Sequence, residues 1–177
     1  MQGISVNRRP TVSYGLFAVT VWLLLKATLG VSQTSAPLIN LLDSKNGAQV
    51  ILATSDDWLK TIDGSTNSKN LNGWAIYAFK DERPAIFDTF TVLIPGTSNW
   101  NVKEFELLSG NDSPTGNFDS IGKFTTTNAR FIKSPHQEFK FPPVTAKYLK
   151  VELLSAWAGP YSLLCAFQFR LFGRMKE

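Results

Sequence analysis

The chain has 177 residues, enough for one ordinary domain with a targeting segment and too few for two comfortable domains. Hydrophobic residues make up 44%, thirteen of them Phe and five Trp, which excludes disorder over most of the length. The formal charge is +4, but Arg8, Arg9 and Lys26 stand in an acid-free stretch of 32 residues; the fifteen bases left against fourteen acids net about +1, form no cluster, and exclude the electrostatic footprint of a nucleic-acid binder.

The first element is a hydrophobic leader. Gly15 to Leu25 is an unbroken apolar or small run behind Arg8-Arg9 and before Lys26. As a signal peptide it has a basic start, an apolar centre and a small-residue stretch, Gly30-Val31-Ser32, for a peptidase near residue 32. As an anchor, the window Val12 to Val31 has the roughly twenty residues a bilayer core requires, with Lys26 able to snorkel. The uncleaved anchor is the preferred reading: a transmembrane helix in residues 1–32 with Leu16, Phe17, Val19, Val21, Trp22, Leu23, Leu24 and Leu25 in lipid. In either case Arg8-Arg9 stays cytoplasmic and the rest lies outside, in the periplasm or on the cell surface, or is secreted after cleavage. Residues 33–39 read as a tether and 174–177 as a tail.

From Asn40 onward short apolar or alternating runs are separated by turn clusters. The expected strands are Ala48–Thr54, Trp74–Lys80, Ala85–Ile94, Val102–Ser109, Phe118–Thr126, Gln137–Phe141, Tyr148–Leu154 and Leu164–Phe172. In Tyr148–Leu154, Leu149, Val151 and Leu153 alternate with Lys150 and Glu152, which marks one buried and one wet face. Strands at this spacing predict an all-β antiparallel sandwich over residues 40–173. Val50, Leu52, Trp74, Phe79, Phe105, Leu107, Phe139, Leu149, Val151 and Phe169 are its expected core. Cys165 is the only cysteine, so no intramolecular disulfide forms, and its apolar run reads as buried packing.

The order of motifs resembles the discoidin family (coagulation-factor type C), whose members are galactose-binding-like jelly rolls. The carriers are Asn40-Leu41-Leu42, Gly47-Ala48-Gln49-Val50, and Ile62-Asp63-Gly64 followed by Gly73-Trp74. Phe105-Glu106-Leu107-Leu108-Ser109 with Ser113-Pro114-Thr115-Gly116-Asn117-Phe118 is similar to bacterial members. Gln137-Glu138-Phe139, Phe141-Pro142-Pro143-Val144 and Ala146-Lys147-Tyr148-Leu149-Lys150 complete the likeness, which spans residues 40–173. The family's last strand usually begins Leu-Gly-Glu, its Glu helping to hold calcium in some members; here Leu164-Cys165-Ala166 stands there, and Ala166 offers no side-chain oxygen. The resemblance therefore implies no calcium site. It implies that loops 55–61, 65–73 and 95–101 project together from one end.

Little in the sequence resembles catalytic chemistry. His136 is the only histidine, which excludes a multi-histidine metal centre and leaves it as a solvated side chain or a secondary contact. Asp56-Asp57 and Asp63 read as turn formers rather than paired catalytic carboxylates. No phosphate loop or nucleophile elbow is present, and no cofactor is implied. The loops carry more. Trp58 with Leu59 and Lys60, and Trp100 with Asn99 and Asn101, are the partner-binding candidates, since exposed Trp serves interface hot spots and sugar platforms alike. The alternative for Trp58 is that it folds back to close the sandwich end. Trp157 and Tyr161 form a second candidate surface.

Three functions follow. A non-catalytic, membrane-tethered scaffold that binds or stabilises a membrane protein complex ranks first. A carbohydrate-binding, lectin-like module ranks second, and a peripheral lipid-binding domain third. The sandwich itself does not choose among them.

Overall fold

Residues 37–64, 69–94, 96–128, 135–159, 164–166 and 168–177 are described by the computed structural model. The leader with its membrane-facing residues, and Tyr161, lie outside them. Among the described residues no helix is long and apolar enough to cross a membrane.

Period-two alternation carries the chain into strands: β1 (Ile39–Asn40), β2 (Gln49–Ala53), β3 (Lys69–Leu71), β4 (Trp74–Ala78), β5 (Ala85–Leu93), β6 (Val102–Gly110), β7 (Phe118–Thr125), β8 (His136–Ala146), β9 (Tyr148–Ala156), β10 (Leu164–Ala166) and β11 (Phe169–Met175). A four-stranded sheet in the order β1-β11-β5-β8 faces a five-stranded sheet in the order β2-β4-β9-β6-β7, and β10 pairs with β3. Every pairing is antiparallel. The molecule is thus an all-β two-sheet jelly roll.

The core lies between the sheets. Phe87, Phe90 and Val92 of β5 and Phe169 and Leu171 of β11 meet Tyr77 of β4, Phe105 and Leu107 of β6, and Leu149 and Val151 of β9. Phe105 is the hub. Its ring centroid lies 5.0 Å from Phe139 in an edge contact, and 5.5 Å from both Phe90 and Phe124. Phe79 and Phe169 are also buried, while Val50 and Phe139 are partly buried against the core, as the alternation requires.

Five expectations are corrected. Leu52 is 38% exposed, not core, because a bulge between Val50 and Leu52 breaks the alternation of β2. Trp74 is not core either. It stands on the outer face of the five-stranded sheet with Ile51, Ile76 and Phe118, under the Lys150 ammonium 5.2 Å from its ring centroid. The expected strand Leu164–Phe172 divides into β10 and β11, which serve different sheets, and part of loop 65–73 becomes β3. Finally, β8 runs through Pro142-Pro143 instead of stopping at Phe141. As the sheet's edge strand it has one neighbour, and its pairing with β5 passes from Lys140 to Val144 across a bulge, so the missing N–H groups cost no ladder bond.

Gly173 allows β11 to pass close to β5. An added Cβ would stand 2.3 Å from the Ile86 carbonyl oxygen and 2.8 Å from Leu41 and Phe87 side-chain carbons, at the bulge between Phe172 and Gly173. A carbonyl in a sheet cannot step aside as a flexible side chain can. Gly173→Ala is expected to destabilise by about 1–3 kcal/mol, read from the urea midpoint; wild-type stability would show that the two strands separate freely.

Register also decides which loops share an end. Ala53 lies near the Trp74 end of β4, Trp74 opposes Glu152, and Val102 opposes Ala156. In the other sheet Leu93 opposes His136 and Val92 opposes Phe169. The segments after β2, β5, β7 and β9 therefore leave together, at what is called here the loop end.

Candidate functional site

Trp58 and Trp100 both belong to the loop end, but only one faces solvent. Residues Asp56–Thr61 form a 3-10 turn that folds Trp58 inward to 0% exposure. Its Nε1 donates to Thr54 Oγ1 and to the Asn72 carbonyl, each at 3.2 Å, and its ring lies 6.0 Å from that of Phe169. Beneath it the Thr61 hydroxyl donates to the Trp58 carbonyl at 2.7 Å and meets the Tyr77 hydroxyl at 2.9 Å. Burial pushes the Tyr77 phenol far above its ordinary range. Trp58 is the plug of the sandwich end, which corrects its place among the partner contacts. Leu59 and Lys60 remain outside; Leu59 is exposed, and Lys60 pairs with Asp57 at 2.8 Å.

Trp100 is 50% exposed and Trp157 38% exposed, and the backbone ties them together. The Trp157 N–H donates to the Asn101 carbonyl at 3.1 Å, and the Ala158 N–H to the Asn99 carbonyl at 2.7 Å. The residues flanking Trp100 thus form a short ladder with the turn that bears Trp157. Asn101 is 2% exposed, so it is a brace rather than a contact, a second correction. Its Nδ2 donates to the Gly96 carbonyl at 2.7 Å and to Asn128 Oδ1 at 3.1 Å, and Asn128 Oδ1 also accepts from the Ser98 N–H at 3.0 Å. Asn99 stays exposed beside Trp100.

The Trp157 ring is held at its edge and at its face. Its Nε1 donates to Thr126 Oγ1 at 3.3 Å, while Thr126 is fixed by its own bond to the Val102 carbonyl at 2.5 Å. The Lys103 ammonium lies 5.5 Å from the ring centroid. Lys103, Thr126 and Asn128 had no place in the sequence-based expectation. They come from strands and loops that only folding brings together, and none carries a motif.

His136 opens β8 opposite Leu93, also at the loop end. Its pKa is lowered, first by burial and then by the Arg170 charge, so the neutral ring is favoured near pH 7. Among the described residues no three His, Cys, Asp or Glu side chains gather so as to hold a metal ion. What the loop end offers is an aromatic surface bordered by amide, hydroxyl and ammonium groups.

The fold recurs in known structures. A family 32 carbohydrate-binding module from a family 31 glycoside hydrolase of Clostridium perfringens superposes with a TM-score of 0.61 at 15% identity, over 75% of this chain and 94% of that one. The C-terminal domain of a chitobiase from Bacteroides fragilis gives 0.57 at 16% identity, over 76% and 98%. Another Clostridium perfringens family 32 module, in complex with GalNAc-β-1,3-galactose, gives 0.56 at 18%, over 75% and 99%. At these identities the likeness is one of fold, and it bears out the discoidin-like jelly roll. No curated protein matches the chain by sequence. The sequence pattern described as "Sad1 / UNC-like C-terminal" matches residues 67–175, more than half of the chain and nearly the whole sandwich after β2. This chain belongs to the Sad1/UNC-like C-terminal family.

Proposed function

We propose that the domain is a non-catalytic module that binds carbohydrate at its loop end, with Trp100 as the stacking ring and Trp157 beside it. The half-exposed Trp100, held by a backbone ladder to a second exposed Trp, carries this reading. An indole face is a flat apolar platform for the C–H face of a pyranose, and sites of this kind combine such a platform with a few placed polar groups. Here the Trp100 N–H donates to Ser98 Oγ at 3.2 Å, exposed Asn99 precedes Trp100, and the Lys103 ammonium lies over the Trp157 ring. The structural neighbours include modules seen with GalNAc-β-1,3-galactose and with galactose, which favours sugar over the scaffold function ranked first on the sequence. That scaffold reading also loses one of its two anchors, since Trp58 is buried. We further propose an extracytoplasmic location, on the strength of Arg8-Arg9 ahead of the apolar run.

Titrating the full-length chain with galactose and N-acetylgalactosamine saccharides, followed by tryptophan fluorescence, is expected to give a saturable response at millimolar or better affinity. Trp100→Ala is expected to weaken binding by about 2 kcal/mol, roughly thirtyfold. Its stability should stay within about 0.5 kcal/mol of wild type, as for a surface position. No saturable response to any sugar, with release of a co-purifying protein by Trp100→Ala, would return the scaffold function to first place.

A further inference from the structure

Lys103 is a cation of the loop end, and among the described residues no carboxylate forms an ion pair with it. Its ammonium lies over the Trp157 ring, while the ion pairs of the described residues involve Lys60, Lys123, Lys140 and Lys150 instead. The acids nearest to it along β6 are engaged elsewhere. Glu104 accepts from the Ser155 hydroxyl at 2.6 Å, and Glu106 accepts from Ser120 at 2.6 Å and faces Lys123 at 3.8 Å. The backbone that carries the charge is also constrained. Thr126 takes the indole N–H of Trp157 and donates its own backbone N–H to the Lys103 carbonyl at 2.8 Å, so one residue braces both the ring and the Lys103 backbone. A neutral sugar gains less from such a charge than an anion does: an ammonium is strongly hydrated, and a hydroxyl repays only part of that hydration. An anion repays it through a charge-assisted hydrogen bond.

We propose that the sugar taken at this site is acidic: a pyranose bearing a carboxylate or an ester sulfate, its ring on Trp100 and its anionic group on Lys103. The inference rests on the carbohydrate reading above and specifies its substrate class. The ring contact supplies position, and the Lys103 ammonium supplies discrimination between charged and neutral saccharides.

The test titrates the full-length chain at about 50 mM salt with digalacturonate, galactose 6-sulfate and a neutral galactose disaccharide. At least one acidic ligand is expected to bind about tenfold more tightly than the neutral one, equivalent to 1.4 kcal/mol. The arm that gains identifies carboxylate or sulfate as the group recognised. In Lys103→Gln the ratio of acidic to neutral affinity should fall to about one, while Lys103→Arg, which keeps the charge, should retain most of it. The wild-type preference should shrink as salt rises to roughly 0.3 M, because an exposed charge contact is screened. Unchanged near-ultraviolet circular dichroism separates a lost contact from a lost fold. Equal affinity for acidic and neutral sugars, or a preference that survives Lys103→Gln, would overturn the proposal and leave sugar binding intact. Failure of every sugar to bind would remove both.

Discussion

Trp58→Ala is expected to destabilise the domain by about 3–5 kcal/mol rather than release a partner from it. The ring is wholly buried, closes the space between the sheets against Phe169, and spends its one N–H on Thr54 and Asn72. Truncation removes the apolar area and opens a cavity, while the Asn72 carbonyl keeps only the Thr54 hydroxyl as a donor. Because the 3-10 turn is built around this side chain, the bond from Thr61 to the Trp58 carbonyl and its contact with Tyr77 should loosen too. Urea denaturation reads the loss as a lower midpoint at nearly constant slope. Trp58→Phe, which keeps the ring and loses the N–H, should recover part of it. A Trp58→Ala protein of wild-type stability would restore the residue to the contact surface.

Phe105→Ala is expected to cost a similar amount, about 3–5 kcal/mol, for a different reason. Phe105 is 1% exposed and touches rings from both sheets: Phe90 of β5 and Phe139 of β8 on one side, Phe124 of β7 on the other. Its removal therefore breaks several aromatic contacts at once, each worth something beyond burial area alone. The side chains around it belong to strands held by their own ladders, so the hole cannot collapse without shifting a sheet. Calorimetry should show a lower midpoint with the native strand content kept below it. A loss under about 1 kcal/mol would mean that β7 and β8 close over the gap.

These two positions show how differently the sequence speaks. Phe105 was legible because Glu104 and Glu106 flank it and alternation assigns it inward. Trp58 was not, because a single aromatic between polar residues in a loop has no period, and the same residues suit a plug or a contact. Trp74 misled in the opposite way. It begins an alternating run in which both alternating sets are apolar, so pattern alone does not select the inner face. Leu52 was lost to a bulge, which shifts side chains by one position without a mark in the sequence.

By itself the sequence determined the class of fold, most of the strands between Ala48 and Phe172, the greater part of the core, and the absence of a basic cluster. Each of these depends on local alternation, turn residues or composition, all of which are read along the chain. The tertiary structure decided which strands became edges, how β10 and β11 parted, which face received Trp74, and that Trp58 closes the sandwich. It also brought Trp100, Trp157, Lys103 and Thr126 to one surface from segments far apart in sequence. Their meeting depends on strand register, which places the starts of β6 and the ends of β9 and β7 side by side. Register is set by the packing of all the strands together, and no local stretch of residues encodes it.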